Sequence, residues 1–293
     1  MVFDVCVIGH ITRDLIRIQN VEKQLPGGVA YYFTMAVKNL GLNVSLITKC
    51  SENDKTLLDD LIENDVDIFY SRSNKTTTFE NIYPKDSNSR IQTVKSVAAP
   101  FHPQEMPQIS PRYFHLGPLT KKDISLDLLR ALSKQSKVSL DVQGCLRTVG
   151  GGTITYSDWR EKNEGLTYVN ILKADEVEAR ILTGEDHMEK AADTLSTYGI
   201  DEVVITLGSK GSLICSKGKL YRIPSFPPKK VVDPTGCGDT YIAGYLFKRL
   251  KSSPIFEAGN FAAAVASLKM ERHGSFKGTE KDVEKFLEMS RVI

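Results

Sequence analysis

Val5-Cys6-Val7-Ile8-Gly9 is a short apolar run closed by a glycine, and it reads as a first strand. Residues 30–40 are long enough for a helix, and residues 44–48 read as a second strand. The pattern is helical again over 56–63 and extended at Ile68-Phe69-Tyr70. Further on, 113–117 is strand-like, 125–133 helical and 138–142 strand-like. Residues 169–173 (strand), 176–182 (helix) and 203–207 (strand) keep the same rhythm. Strands that alternate with helices predict a mostly parallel sheet covered on both faces, a three-layer α/β/α sandwich. In such sheets ligands bind at the carboxyl ends of the strands.

Two regions break the rhythm. Residues 76–97 are rich in Thr, Asn and Ser, and strand-like runs flank Pro84-Lys85-Asp86-Ser87-Asn88. That composition predicts a β-hairpin, too poor in large apolar residues to be core, which projects from the main sheet. Residues 213–226 read as a second hairpin through Ser216-Lys217-Gly218. With no internal repeat, low-complexity tract or long linker, residues 1–293 are expected to form one unit.

Composition sets the outer bounds. A chain of 293 residues, 41% hydrophobic and 25% charged, has ordinary globular statistics and buries enough surface to need no staples. Its net charge of +2 comes without a basic arm or acidic tail, so nucleic acid is a poor expectation. The five cysteines are scattered without a CxxC pair, and the five histidines show no ligand spacing. That argues against a disulfide framework or a zinc site and fits a reducing compartment. The first residues carry Asp4, lack a basic leader and are too short for a signal peptide or a membrane span. A cytoplasmic protein with no membrane partner is expected.

The chemistry is concentrated in Val231-Val232-Asp233-Pro234-Thr235-Gly236-Cys237-Gly238-Asp239-Thr240. Ile242, Tyr245, Leu246 and Leu250 have helical spacing, so a helix is predicted to begin near Asp239. Glycines before it let backbone N–H groups close on an anion, and the helix dipole points the same way. An aspartate there repels a resident phosphate. It makes sense if the anion is transient and the carboxylate draws a proton from an attacking hydroxyl. The plain alternative is an aspartate N-cap behind a glycine turn.

Asp233-Pro234-Thr235-Gly236-Cys237-Gly238-Asp239 resembles the D-[TP]-T-G-A-G-D signature of the ribokinase/PfkB family, with Cys237 in place of the usual Ala. Pro26-Gly27-Gly28, a helix, Asn39-Leu40-Gly41 and the run 44–48 resemble that family's N-terminal block. Thr206-Leu207-Gly208-Ser209-Lys210-Gly211 resembles its nucleotide-facing turn. The likeness covers nearly the whole chain in the family's order.

The resemblance implies a kinase that transfers the ATP γ-phosphoryl group to a hydroxyl of a sugar, cyclitol or related polyol. Asp239 would be the general base, and the N–H groups of Gly236, Cys237 and Gly238 would hold the developing charge. Asp14, Gly27 and Gly28 would bind the substrate. Thr206, Gly208, Gly211 and Asp175 would face the nucleotide, although Asp175 stands where the family has Asn. Glu178 would help organise Mg²⁺ through water. Asp233 and Thr235 would match a monovalent-cation loop, which admits K⁺. About 10–28 and 74–97 would form a small β-lid, and a homodimer through that lid is admitted.

Departures narrow the substrate. Where ribose-specific members carry an Asn, this chain has Tyr32, flanked by Tyr31 and Phe33. A polyol or cyclitol is therefore expected over ribose. A nucleoside stacked on that aromatic run is one alternative, and a non-catalytic ligand-binding relic is another. Leu140-Asp141-Val142-Gln143-Gly144-Cys145-Leu146-Arg147 resembles the D-x-Q-x-x-x-R run of inositol-kinase-like members, which would give Arg147 a substrate role. An Asp141–Arg147 structural ion pair explains the same residues. Trp159 reads as packing or a loop anchor, and Gly150-Gly151-Gly152 lacks any P-loop continuation.

Overall fold

The structure is a computed structural model that describes residues 2–18, 21–83 and 91–290. Nine strands form the central sheet. In spatial order they are Lys219–Ile223, Ser212–Ser216, Glu202–Thr206, Ile171–Asp175, Lys137–Asp141, Tyr113–Leu116, Val5–Ile8, Val44–Cys50 and Asp67–Arg72. The seven from Glu202–Thr206 onward pair in parallel, and the other two, Ser212–Ser216 and Lys219–Ile223, form an antiparallel hairpin at one side of the sheet, as expected through Ser216-Lys217-Gly218. Chain order reverses on either side of Val5–Ile8, so the crevice beyond that strand is the natural ligand position.

Both faces of the sheet are buried, which is why its strands are apolar runs rather than alternating ones. Val5 and Val7 pack with the helices Val29–Asn39, Cys237–Leu250 and Ile255–Met270. Cys6 and Ile8 point the other way, toward Leu126–Ser133, Glu176–Thr183 and Met188–Ser196. Ser125 caps its helix by accepting the Leu128 N–H. Residues 56–63 are helical as read, starting in a 3₁₀ segment, Glu52–Leu58, and turning α at Asp59–Glu63.

A separate four-stranded sheet stands over the strand ends, in the order Val21–Gly27, Thr12–Ile18, Thr77–Tyr83, Ile91–Ser96. The strands of the hairpin read over 76–97 are present, and its turn at 84–88 lies outside the described residues. This sheet, whose hairpin reads as too poor in large apolar residues to be core, carries a small apolar cluster apart from the main ones. Phe79 and Val94 bury against Leu119, with Val149 and Ile154 packed beside them. Those last two belong to a hairpin absent from the sequence reading, Arg147–Gly150 with Thr153–Tyr156, whose turn is the glycine run. The Gly152 carbonyl accepts the Val94 N–H at 2.9 Å and ties hairpin to sheet. Trp159 is buried in the core, its ring against Gly165, so packing is its role.

All five cysteines are free thiols. Among the described residues no helix is long and apolar enough to cross a membrane.

Candidate active site

Gly236 has φ +75° and is the N-cap of the helix Cys237–Leu250. A side chain there is excluded twice over. Its left-handed backbone favours glycine, and a Cβ would stand 2.3 Å from Cγ of Tyr32. The helix therefore begins two residues earlier than the pattern predicts, and Asp239 occupies its first turn rather than its cap. The first bond along the helix runs from the Thr240 N–H to the Gly236 carbonyl. Among the described residues, the N–H groups of Gly236, Gly238 and Asp239 have no acceptor in the protein, as expected of a helix N-terminus. The Cys237 N–H, expected to join the anion cradle, turns back to the Pro234 carbonyl at 3.3 Å.

Two cavities meet on this turn. The first, of about 240 Å³, is polar and is lined by Thr12, Asp14, Gln143, Arg147, Lys173 and Asp239, among others. Gln92, Phe79 and Leu119 reach it from the smaller sheet and the loop beneath. The second, of about 470 Å³, is mainly apolar: Phe226, Pro227, Pro228, Val231, Ala263 and Met270 line it. Thr206, Gly208 and Gly211 lie on the second cavity, where the resemblance puts a nucleotide. Cys237 and Gly238 belong to both.

Asp14 and Gly28 line the polar cavity, and Asp14 accepts the Thr12 hydroxyl at 2.8 Å. Gly27 does not line it. A Cβ at Gly27 would lie 2.5 Å from the Asp14 carboxylate, so this glycine makes room for that side chain. Tyr32 reaches the cavity, but the aromatic run does not offer a stacking platform. Tyr31 is buried and bonded to Asp60, and Phe33 stacks on buried His115 at 3.7 Å. The Tyr32 ring supports Gly236 from below.

The Asp141–Arg147 ion pair, the alternative to a substrate role for Arg147, gives way to other partners. Asp141 pairs with Lys173 at 2.9 Å, whereas Arg147 donates to the Tyr156 hydroxyl at 3.0 Å and lines the polar cavity. Asp175 lines neither cavity. It caps the helix Glu176–Thr183, accepting the Glu178 N–H, while the Glu178 carboxylate accepts the Asp175 N–H, each at 2.8 Å. Glu178 is buried, 3.8 Å from Lys173. Among the described residues no group of three or more His, Cys, Asp or Glu is assembled to hold a metal ion. A resident magnesium cage does not fit; the ion suits this site only as a companion of donor phosphates, its common mode of binding.

Burial pushes the Asp239 carboxyl up to about 7, and the charges of Asp141 and Glu178 push the same way. Lys173 and Arg147 oppose them. A helix dipole by itself favours an ionised carboxylate in the first turn, and here desolvation and like charge overrule it. Asp239 still opens onto the polar cavity. Burial disfavours charge on Lys173, but the carboxylates of Asp141, Glu178 and Asp239 outweigh it and hold its pKa above the ordinary lysine value. Its ammonium stands 3.4 Å from where a Cβ on Gly238 would be. Lys173 escaped the sequence reading, although a lysine inside the apolar run Ile171-Leu172-Lys173-Ala174 signals a buried partner. Asp233 accepts the Thr235 N–H at 2.9 Å and faces the ammonium of Lys269 at 3.3 Å, a second lysine the sequence reading passed over.

A polar cavity and an apolar cavity that share the N-terminal turn of a helix, with a carboxylate opening onto the polar one, fit a phosphotransferase that acts on a hydroxyl group. The chain belongs to the pfkB family of carbohydrate kinases, whose sequence model matches residues 2–282. It is 26% identical over 94% of its length to 99% of a cytidine kinase of Thermococcus kodakarensis. A nucleoside kinase of Methanocaldococcus jannaschii is likewise 26% identical, with 91% of this chain and 90% of that protein covered. A pyrophosphate-dependent kinase of the ribokinase family, solved with a pyrophosphate analog and myo-inositol, superposes with a TM-score of 0.86 at 27% identity, covering 96% and 99% of the two chains.

Proposed function

We propose that this chain transfers the γ-phosphoryl group of ATP to a hydroxyl of a small cyclic polyol, a sugar or cyclitol. The observation that carries the reading is the contrast between the two cavities and their meeting at Cys237 and Gly238. The polar cavity has room for one hydroxylated ring, and its Asp14, Gln143 and Arg147 side chains offer acceptors and donors suited to hydroxyl groups. The apolar cavity has the size of an ordinary ligand pocket and a lining that suits a purine base, which pyrophosphate lacks.

In this reading the acceptor hydroxyl lies between Asp14 and Asp239. Its oxygen bonds to the γ-phosphorus, the bond to the β-phosphate oxygen breaks, ADP leaves, and the proton passes to Asp239. The N–H groups of Gly236, Gly238 and Asp239, with the Lys173 ammonium beside them, stabilise charge on the equatorial oxygens. Magnesium accompanying the donor phosphates would supply further charge neutralisation, and Glu178 would help organise it through water. The four-stranded sheet serves as the lid.

A second reading, a nucleoside acceptor, is favoured by the likeness to the cytidine kinase and by Phe79, which reaches the polar cavity from the smaller sheet. The deciding experiment offers ATP or pyrophosphate with myo-inositol, ribose, fructose, cytidine and adenosine, and follows release of ADP or phosphate. The expected result is turnover with ATP and highest kcat/KM for a cyclitol or hexose. Ribose as the best acceptor would overturn the acceptor assignment, and cytidine as the best would establish the second reading. Turnover with pyrophosphate alone would overturn the donor.

A further inference from the structure

Lys269 lies in the last turn of the helix Ile255–Met270, and its side chain is fully buried. The ammonium donates to the Asp233 carbonyl at 2.8 Å and stands 3.3 Å from the Asp233 carboxylate. The Tyr32 ring, 5.4 Å away, covers it from the side of the polar cavity. In the same helix turn the Met270 carbonyl accepts the N–H groups of Val232 and Asp233. Both the backbone and the charge of Asp233 are therefore held by one helix end, just ahead of the anion-binding turn.

A monovalent cation, which the likeness of Asp233 and Thr235 to a cation loop implies, does not fit here. Such an ion needs carbonyl and carboxylate oxygens, and those of Asp233 already face a fixed ammonium. A second positive charge close to it would be strongly repelled in so buried a place. We infer that Lys269 is a positioning residue that supplies this positive charge from within the chain, so that phosphoryl transfer requires no monovalent cation. The inference rests on the kinase reading above. The Asp233 carboxylate, left uncompensated, would direct negative charge toward the phosphates that the turn must hold. Lys269 neutralises it and pins the carbonyl from which the backbone runs on to Gly236. Its charge is felt on the turn itself, where it counters the upward push of burial on the Cys237 thiol.

The test compares KCl with tetramethylammonium chloride at equal ionic strength, reading kcat and, on the substrate-free protein, the thermal midpoint. The wild-type protein is expected to give the same kcat and the same midpoint in both salts. Lys269→Ala opens a cation-sized gap beside the Asp233 oxygens. It should lose roughly tenfold or more in kcat in tetramethylammonium, with KCl raising both its kcat and its midpoint. Lys269→Met fills the gap without charge, so it should lose activity that KCl does not restore. A wild-type kcat or midpoint that climbs on exchange into KCl would overturn the inference. So would a Lys269→Ala protein indistinguishable from wild type. Should Lys269→Ala fail to fold, the wild-type comparison decides. Should no acceptor be turned over, the kinase reading falls while the thermal measurements still judge the lysine.

Discussion

Lys173 and Asp141 are register partners on adjacent parallel strands, and their buried side chains meet at 2.9 Å, Lys173 lining the polar cavity. The pair carries both stability and chemistry, and the two can be separated. Lys173→Met leaves Asp141 buried without its counter-ion and should cost about 3–5 kcal/mol in denaturant unfolding. Adding Asp141→Leu removes the stranded charge and should recover most of that loss. Activity should stay low in both variants, because the ammonium beside Gly238 is gone. A double variant with wild-type kcat would show the pair to be structural only.

Asp239 should give the pH profile its acid limb. With its carboxyl raised to about 7 by burial and by the neighbouring carboxylates, the free protein should gain kcat/KM as pH rises through that region. Asp239→Asn should lose the limb and about 10²–10⁴ in kcat.

Stability runs the opposite way. Between the unfolded carboxyl pKa and the raised folded value, the native state holds a proton that the unfolded chain has released. Stability then falls with rising pH, since it rises only where the unfolded state binds more protons. Asp239→Asn escapes that penalty and should raise the thermal midpoint by several degrees at pH 8, on the order of 1–3 kcal/mol, with little effect at pH 4. An Asn variant less stable than wild type at pH 8 would contradict the buried, like-charged environment described here.

Gly236→Ala should be costly although it adds one methyl. Left-handed backbone costs a non-glycine residue about 1–2 kcal/mol, and the methyl would strike the Tyr32 ring. Calorimetry should show that loss, and kcat should fall more than KM for the acceptor rises. In a Tyr32→Ala background Gly236→Ala should cost less than it does in the wild type, because the clash is gone while the backbone strain stays.

Ala263→Phe tests the apolar cavity, which it should partly fill. KM for ATP should rise roughly tenfold, the scale set by a lost apolar contact, with KM for the acceptor unchanged. Inorganic tripolyphosphate, which has no base, should compete against ATP as well as before or better. Equal loss of affinity for both donors would show that the cavity does not hold the base.

The fold was legible because its signals are local. Apolar runs such as Val5 to Ile8, and the repeat of strand with helix, follow from backbone periodicity over a few residues. The 150–152 hairpin was not legible, because its apolar residues, Val149 and Ile154, make sense only against Phe79 and Val94 of the smaller sheet. Register, likewise, decided that Asp141 faces Lys173 rather than Arg147.

By itself the sequence determined the layered α/β/α architecture, the glycine-bounded helix start and the presence of Asp239 beside it. These depend on neighbours along the chain. Tertiary structure alone decided which charges surround that aspartate, and that Lys173 and Lys269 are paired rather than solvated. The physical reason is that desolvation and Coulomb energy depend on distance in space. Lys269 and Asp233 are far apart in the chain, and only the packing of one helix end against one turn brings ammonium and carboxylate to 3.3 Å.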